Sequence, residues 1–188
     1  MKKRILSALL CAALLAGTLP AASAASSVSD SVIEQVVGAL EIMTGDENGN
    51  LNLDNSVTRA EFARMLVAAS SYKDKVAAVS NYSPFKDVPY THWTASYVKT
   101  AVEQGWLTGY LDGTYRPSNT ITLEEAATGA LKLLGYGTSD FVGSYPYGQL
   151  ALYKSLGLDT KITASQGGTM TRRNMMYLFY NLLTADTA

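Results

Sequence analysis

Cysteine and histidine are almost missing from this chain. Its 188 residues hold one of each, Cys11 and His92. A lone histidine builds neither a metal centre nor a nucleophile–base triad. An excess of charge of one sign is also missing, since 15 Lys and Arg against 16 Asp and Glu leave a net charge of −1. That balance excludes a polybasic binder of nucleic acid or anionic membranes. Charged residues make up only 16% and hydrophobic residues 47%, which excludes a disordered acidic tail. No segment alternates apolar and polar residues well enough to build a strand core. The Gly-x-Ser-x-Gly, His-Glu-x-x-His and phosphate-loop patterns are absent. A glycosidase would need two carboxylates across a cleft, whereas Glu124 and Glu125 are neighbours at a helix start. The chain therefore reads as non-catalytic, without cofactor or metal.

The longest apolar run stands at the front. Lys2, Lys3 and Arg4 form a positive start, Ile5 to Leu15 is apolar apart from Ser7, and Ala22-Ser23-Ala24 is a small-residue cleavage site. This is the pattern of a secretory signal peptide over residues 1–24. Its apolar stretch is too short for a comfortable membrane span. Cys11 follows Leu10 inside that stretch, which argues against lipidation. Removing these 24 residues takes away three cations and the cysteine, and leaves 164 residues of charge −4. The exported chain then has no disulfide to lean on and must be held by a buried core, which fits a bacterial exported protein. Residues 25–30 read as a short flexible leader, followed by one domain over 31–184.

That domain repeats itself. Residues 44–61 align without a gap on residues 108–125, matching at Thr44/Thr108, Gly45/Gly109, Gly49/Gly113, Asn55/Asn119, Thr58/Thr122 and Glu61/Glu125. A weaker third copy opens its last helix at Thr171. In each copy a helix with apolar residues at helical spacing is expected to stop at a glycine, namely Gly45, Gly109 or Gly157. A polar turn follows, and a threonine then caps a second helix. Thr58 with Glu61 and Thr122 with Glu125 have the spacing of capping boxes, whereas Thr171 faces Asn174 instead of a glutamate. The expectation is an all-α fold of six helices in three hairpins, with copies over about 31–72, 85–136 and 145–184. A single hairpin cannot bury its own stripe, so the three must share a centre.

The second copy carries Phe85-Lys86-Asp87-Val88, His92-Trp93, Gly109-Tyr110-Leu111-Asp112-Gly113-Thr114-Tyr115-Arg116-Pro117 and Ile121-Thr122. The first carries Thr58-Arg59-Ala60-Glu61, and the third Thr171-Arg172. These segments resemble S-layer homology motifs, three in tandem, covering nearly the whole exported chain. The resemblance implies a pseudo-threefold helical unit at the bacterial cell surface. It also implies non-covalent binding of secondary cell-wall polysaccharide, often pyruvylated, in grooves between motifs. It would place Arg59, Asp87, Trp93 and Arg172 in such grooves, with Thr58, Glu61, Thr122, Glu125 and Thr171 as structural caps beside them. An arginine can grip a ketal carboxylate bidentately, and a helix N-terminus favours an anion.

No copy holds the full set. The first lacks the front Phe-x-Asp and Trp, the second has Leu123 at the arginine position, and the third has Asn174 for Glu. One competent groove is expected, should Arg59 face Asp87 and Trp93 across a motif boundary. Each residue also has a plainer reading. Arg59 could be a solvated first-turn residue, Trp93 a core aromatic, Asp87 a helix cap or turn former, and His92 a loop residue. Asp46 to Asp54 has the alternation of a calcium loop, but Leu51 stands at the glycine position and Val57 at the final glutamate position. A polar turn suffices there. Tyr136, Tyr145 and Tyr147 flank a glycine-rich stretch that reads as a packed connector, with part of a carbohydrate surface as the alternative. The alternative function is assembly with other envelope proteins.

Overall fold

A computed structural model describes residues 28–188. The signal-peptide reading and Cys11 lie outside the described residues. Six α-helices follow in order: α1 (Asp30–Ala39), α2 (Arg59–Ala68), α3 (Ala95–Glu103), α4 (Leu123–Leu133), α5 (Tyr147–Ser155) and α6 (Arg172–Thr184). Among the described residues there is no strand, only four isolated bridges. Ser29 and Asp30, placed in a leader by the sequence reading, cap and open α1, and the Ser29 side chain accepts from the Val32 amide.

The starts and ends of the helices have different causes. Thr58 and Thr122 each close a reciprocal capping box with the glutamate three residues on. Thr171 accepts from the Asn174 amide, but Asn174 does not return the bond. Its carboxamide oxygen accepts from the amide and hydroxyl of Thr163 instead, which ties α6 to the loop before it. Four of the helices end in left-handed residues at Glu41, Gly105, Gly135 and Gly157, with φ of 57°, 73°, 96° and 70°. In each, the next amide reaches back to close the last turn: Ile42 to Val37, Trp106 to Ala101, Tyr136 to Leu131, and Leu158 to Tyr153.

Gly45 and Gly109 therefore do not stop α1 and α3. Those helices end earlier, and both glycines serve the turns that follow. A Cβ on Gly109 would lie 2.1 Å from the Phe85 ring, and one on Gly45 would lie 2.6 Å from the Gly49 carbonyl. Only a glycine fits such close approaches.

The larger helix contacts run between motifs: α2 on α3, α4 on α5, and α6 back on α1. The hairpins are thus open, and each motif lends a helix to the next until the last closes on the first. Three short backbone segments meet at the centre of this ring. The Val57 amide donates to the Met170 carbonyl, Met170 to Ile121, and Ile121 to Val57, at 2.9–3.0 Å. This cyclic triplet marks the pseudo-threefold axis. Val57, Ile121 and Met170 are fully buried, beside Phe62 and Phe179, whose ring centroids lie 6.1 Å apart. The repeat in sequence therefore becomes a repeat in space, with three equivalent junctions around one core.

Candidate functional site

Two of the three junctions are built from the same parts. The residue after the capping threonine reaches from one motif into the turn of the next. Arg172 of the third motif donates from Nε to the Leu51 carbonyl and from Nη2 to the Thr44 carbonyl. Its Nη1 lies 3.8 Å from Glu61. Arg59 of the first motif repeats this on the second, donating to the carbonyls of Tyr115 and Thr108 and pairing with Glu125 at 2.6 Å. Leu51 and Tyr115, Thr44 and Thr108, and Glu61 and Glu125 are matched positions of the repeat. At the third junction Leu123 and Asn174 replace the arginine and the glutamate.

The two arginine junctions differ in what is left over. Arg59 is buried, its guanidinium 4.7 Å from the Tyr115 ring and 5.0 Å from the Tyr110 ring. The Tyr115 hydroxyl returns a bond to the Arg59 carbonyl. Every nitrogen of Arg59 has a partner and its charge is balanced, so it is built into the structure. A small cavity of about 170 Å³ remains beside it, edged by Thr128, Lys132 and Tyr145.

The Arg172 junction opens into a cavity of about 240 Å³, lined by Thr44, Glu61, Arg64, Met65, Trp93 and Arg172. Trp93 is 56% exposed there. Its ring stacks on His92 at 5.9 Å, which fixes one face, while Thr94 donates to the His92 ring nitrogen. Arg64 has no ion-pair partner among the described residues. Glu61 commits one carboxylate oxygen to the Thr58 amide and hydroxyl. The groove thus offers an aromatic face, two guanidiniums and one largely occupied carboxylate.

The residues singled out in sequence fall into separate places. Trp93 and Arg172 meet in one groove. Arg59 lies at a different junction and does not face Trp93. Asp87 belongs to neither cavity, because its two oxygens accept from the Tyr115 and Arg116 amides at 2.8 and 2.7 Å. Arg116 sits in the left-handed region at φ 57°, so Asp87 holds a strained turn in place. The caps Thr58, Glu61, Thr122, Glu125 and Thr171 border the junctions. Asp46, considered as a calcium ligand, accepts from the amides of Asn48 and Asn50 and the side chain of Asn52. One groove residue escaped the sequence reading. Arg64 stands one helical turn after Glu61 on α2, and that spacing could have flagged it. Tyr145 lies in the stretch read as a packed connector but is 56% exposed and edges the Arg59 cavity.

Known proteins carry the same pattern. The description "S-layer homology domain" matches residues 26–63 and 84–127, which spans the first two motifs. The chain belongs to the S-layer homology domain family. Its third motif lies outside the matched segments, yet it supplies Arg172 and one member of the central triplet. The domain is 31% identical over 150 residues to the middle cell wall protein of Brevibacillus brevis, covering 79% of this chain and 14% of that protein. It is 33% identical over 101 residues to a surface layer protein of Brevibacillus choshinensis, covering 54% and 9%. A cellulosome-anchoring protein of Acetivibrio thermocellus shares 35% over 96 residues, covering 49% and 21%. The chain therefore spans a small fraction of the length of these relatives. No helix among the described residues is long and apolar enough to cross a membrane.

Proposed function

We propose that this S-layer homology domain is a non-catalytic anchor, exported by a cleaved signal peptide over residues 1–24. It holds its protein to the bacterial cell wall by binding an acidic, pyruvylated secondary polysaccharide. The observation that carries the reading is the exposed Trp93 ring opposite Arg172 and Arg64, contributed by three different motifs. A sugar ring stacks its apolar face on the indole while its carboxylate meets the guanidiniums. The relatives named for the cell wall, the surface layer and anchoring support the same reading. A wall polymer presents many repeats, so weak sites add by avidity.

The second reading is assembly with other envelope proteins. It is favoured by Leu111 and Val142, both fully or largely exposed on loop tips. Co-sedimentation with purified sacculi separates the two. Binding is expected to disappear when acid strips the secondary polysaccharide. Trp93→Ala should weaken it roughly tenfold, about 1.4 kcal/mol, without changing Tm. Binding that survives stripping would point to peptidoglycan or protein, and no binding would sink the anchoring reading.

A further inference from the structure

The repeat leaves one large feature of the chain unused. Residues 69–94 separate α2 from α3, whereas residues 134–146 suffice between α4 and α5. Connectors this long inside a compact domain are uncommon and usually serve a function. This one folds over α3 and encloses a cavity of about 450 Å³ with it. That volume lies within the range of small-molecule sites, about 300–1,000 Å³. On the helix side the lining is Ser96, Lys99, Thr100, Glu103 and Gln104, one face of α3 and polar throughout. The cavity shares no lining residue with the Trp93 and Arg59 cavities at the motif junctions.

Two of its cations are left uncompensated. Lys75 and Lys99 both line it, and neither enters an ion pair among the described residues. Lys99 lies 4.7 Å from the Tyr82 ring centre and donates to the Asn81 carboxamide at 3.1 Å. Lys75 lies 5.3 Å from the Tyr72 ring centre. Aromatic faces and an amide place these ammonium groups without neutralising them. The lining holds one carboxylate, Glu103, which accepts from the Tyr82 hydroxyl at 3.1 Å. Ser96 is only 7% exposed, and its hydroxyl makes no hydrogen bond among the described residues. Thr100, by contrast, spends its hydroxyl on the Ser96 carbonyl. A nearly buried, unpaired hydroxyl on a cavity wall is costly unless something meets it there. Tyr72, Val76 and Val79 of the connector add apolar surface.

We infer that this cavity binds a small organic monocarboxylate. Its carboxylate pairs with Lys75 and Lys99 and accepts from the Ser96 hydroxyl, and its hydrocarbon body lies on Tyr72, Val76 and Val79. Two lysines against one glutamate leave a surplus of one positive charge, which a monoanion balances. Glu103 repels a second negative charge on the ligand. The site stands whether or not the domain anchors to the wall, because it uses none of the groove residues.

The test is amide-shift mapping of the exported chain, residues 25–188, titrated with sodium 3-phenylpropionate, 3-phenylpropionamide and inorganic phosphate. The carboxylate should saturably shift Val79, Ser96, Lys99 and Gln104. The uncharged amide should bind roughly tenfold more weakly, the scale of one lost charge-assisted contact. Phosphate, which carries more charge and no apolar body, should also bind more weakly. Lys75→Gln and Ser96→Ala should each weaken the carboxylate severalfold without lowering Tm, because Lys75 is exposed and the Ser96 hydroxyl holds nothing in the fold. Equal affinity for acid and amide, tighter binding of phosphate, shifts confined to Trp93 and Arg172, or no saturable shift overturns the inference. So does a Lys75→Gln variant that binds the carboxylate as the parent does. Sacculus co-sedimentation is a separate readout, in which Lys75→Gln should behave like the parent whatever the fate of the anchoring reading.

Discussion

Arg59 and Arg172 occupy the same position of the repeat, yet their surroundings give them different work. Arg59 lies between two tyrosine rings with Glu125 closed on it, whereas Arg172 donates to the Leu51 and Thr44 carbonyls at the edge of the Trp93 cavity, with Glu61 only at 3.8 Å. Removing one partner of a buried ion pair leaves the other uncompensated, at about 3–5 kcal/mol. Arg59→Ala is therefore expected to lower stability by an amount near the lower end of that range, since Glu125 is partly exposed. Denaturant titration would show it as a reduced midpoint, and an unchanged midpoint would contradict the structural role. Carboxylates give a second prediction at this scale. Hydrogen bonds from Thr114, with help from Arg116, hold Asp112 down to about 2. Asp30 is lowered by Lys161 and Tyr177, and Asp46 by Asn52 and backbone amides. A lowered acid stabilises the fold fully above its unfolded value of 3.8 and withdraws that support as pH falls through its folded value. Tm should therefore drop between about pH 4 and pH 2, and Asp112→Asn should make that slope shallower in calorimetry.

At the scale of elements, the caps were legible because they are local. A threonine and a glutamate three residues apart satisfy each other's backbone whatever else surrounds them. Thr58→Ala or Thr122→Ala should each cost about 1 kcal/mol. Thr171→Ala should cost less, because only one bond is lost and Asn174 keeps its grip on Thr163. Equal losses at all three, measured by chemical denaturation, would argue against the reciprocal boxes. The helix ends were misread for a related reason. Gly45 and Gly109 look like stop signals, but Glu41 and Gly105 already turn the chain left-handed. The later glycines answer to a ring and a carbonyl brought close by tertiary folding, which no local pattern announces.

At the scale of the molecule, α1 packs on α6, and Asp30 pairs with Lys161 at 2.7 Å across the same seam. The central triplet of hydrogen bonds needs all three motifs, since each amide is served by another motif's carbonyl. Deleting residues 145–188 should therefore leave no folded two-motif fragment, and the full domain should unfold in one cooperative transition by circular dichroism. A fragment that melted cooperatively would show that the ring is not obligatory.

Helical spacing, the capping threonines and the aligned repeats determined by themselves that this is an all-α domain with threefold internal order. Local chemistry suffices for that, because helix periodicity and caps depend on residues a few positions apart. The composition of each groove was decided only by tertiary structure. Trp93 was expected beside Arg59 and lies instead beside Arg172, because the ring of motifs brings the third motif's arginine to the first motif's turn. Asp87 resembles a ligand group in sequence and spends both oxygens on a turn nearly thirty residues away. Which side chains remain unspent depends on partners far along the chain, and only the closed ring assigns those partners.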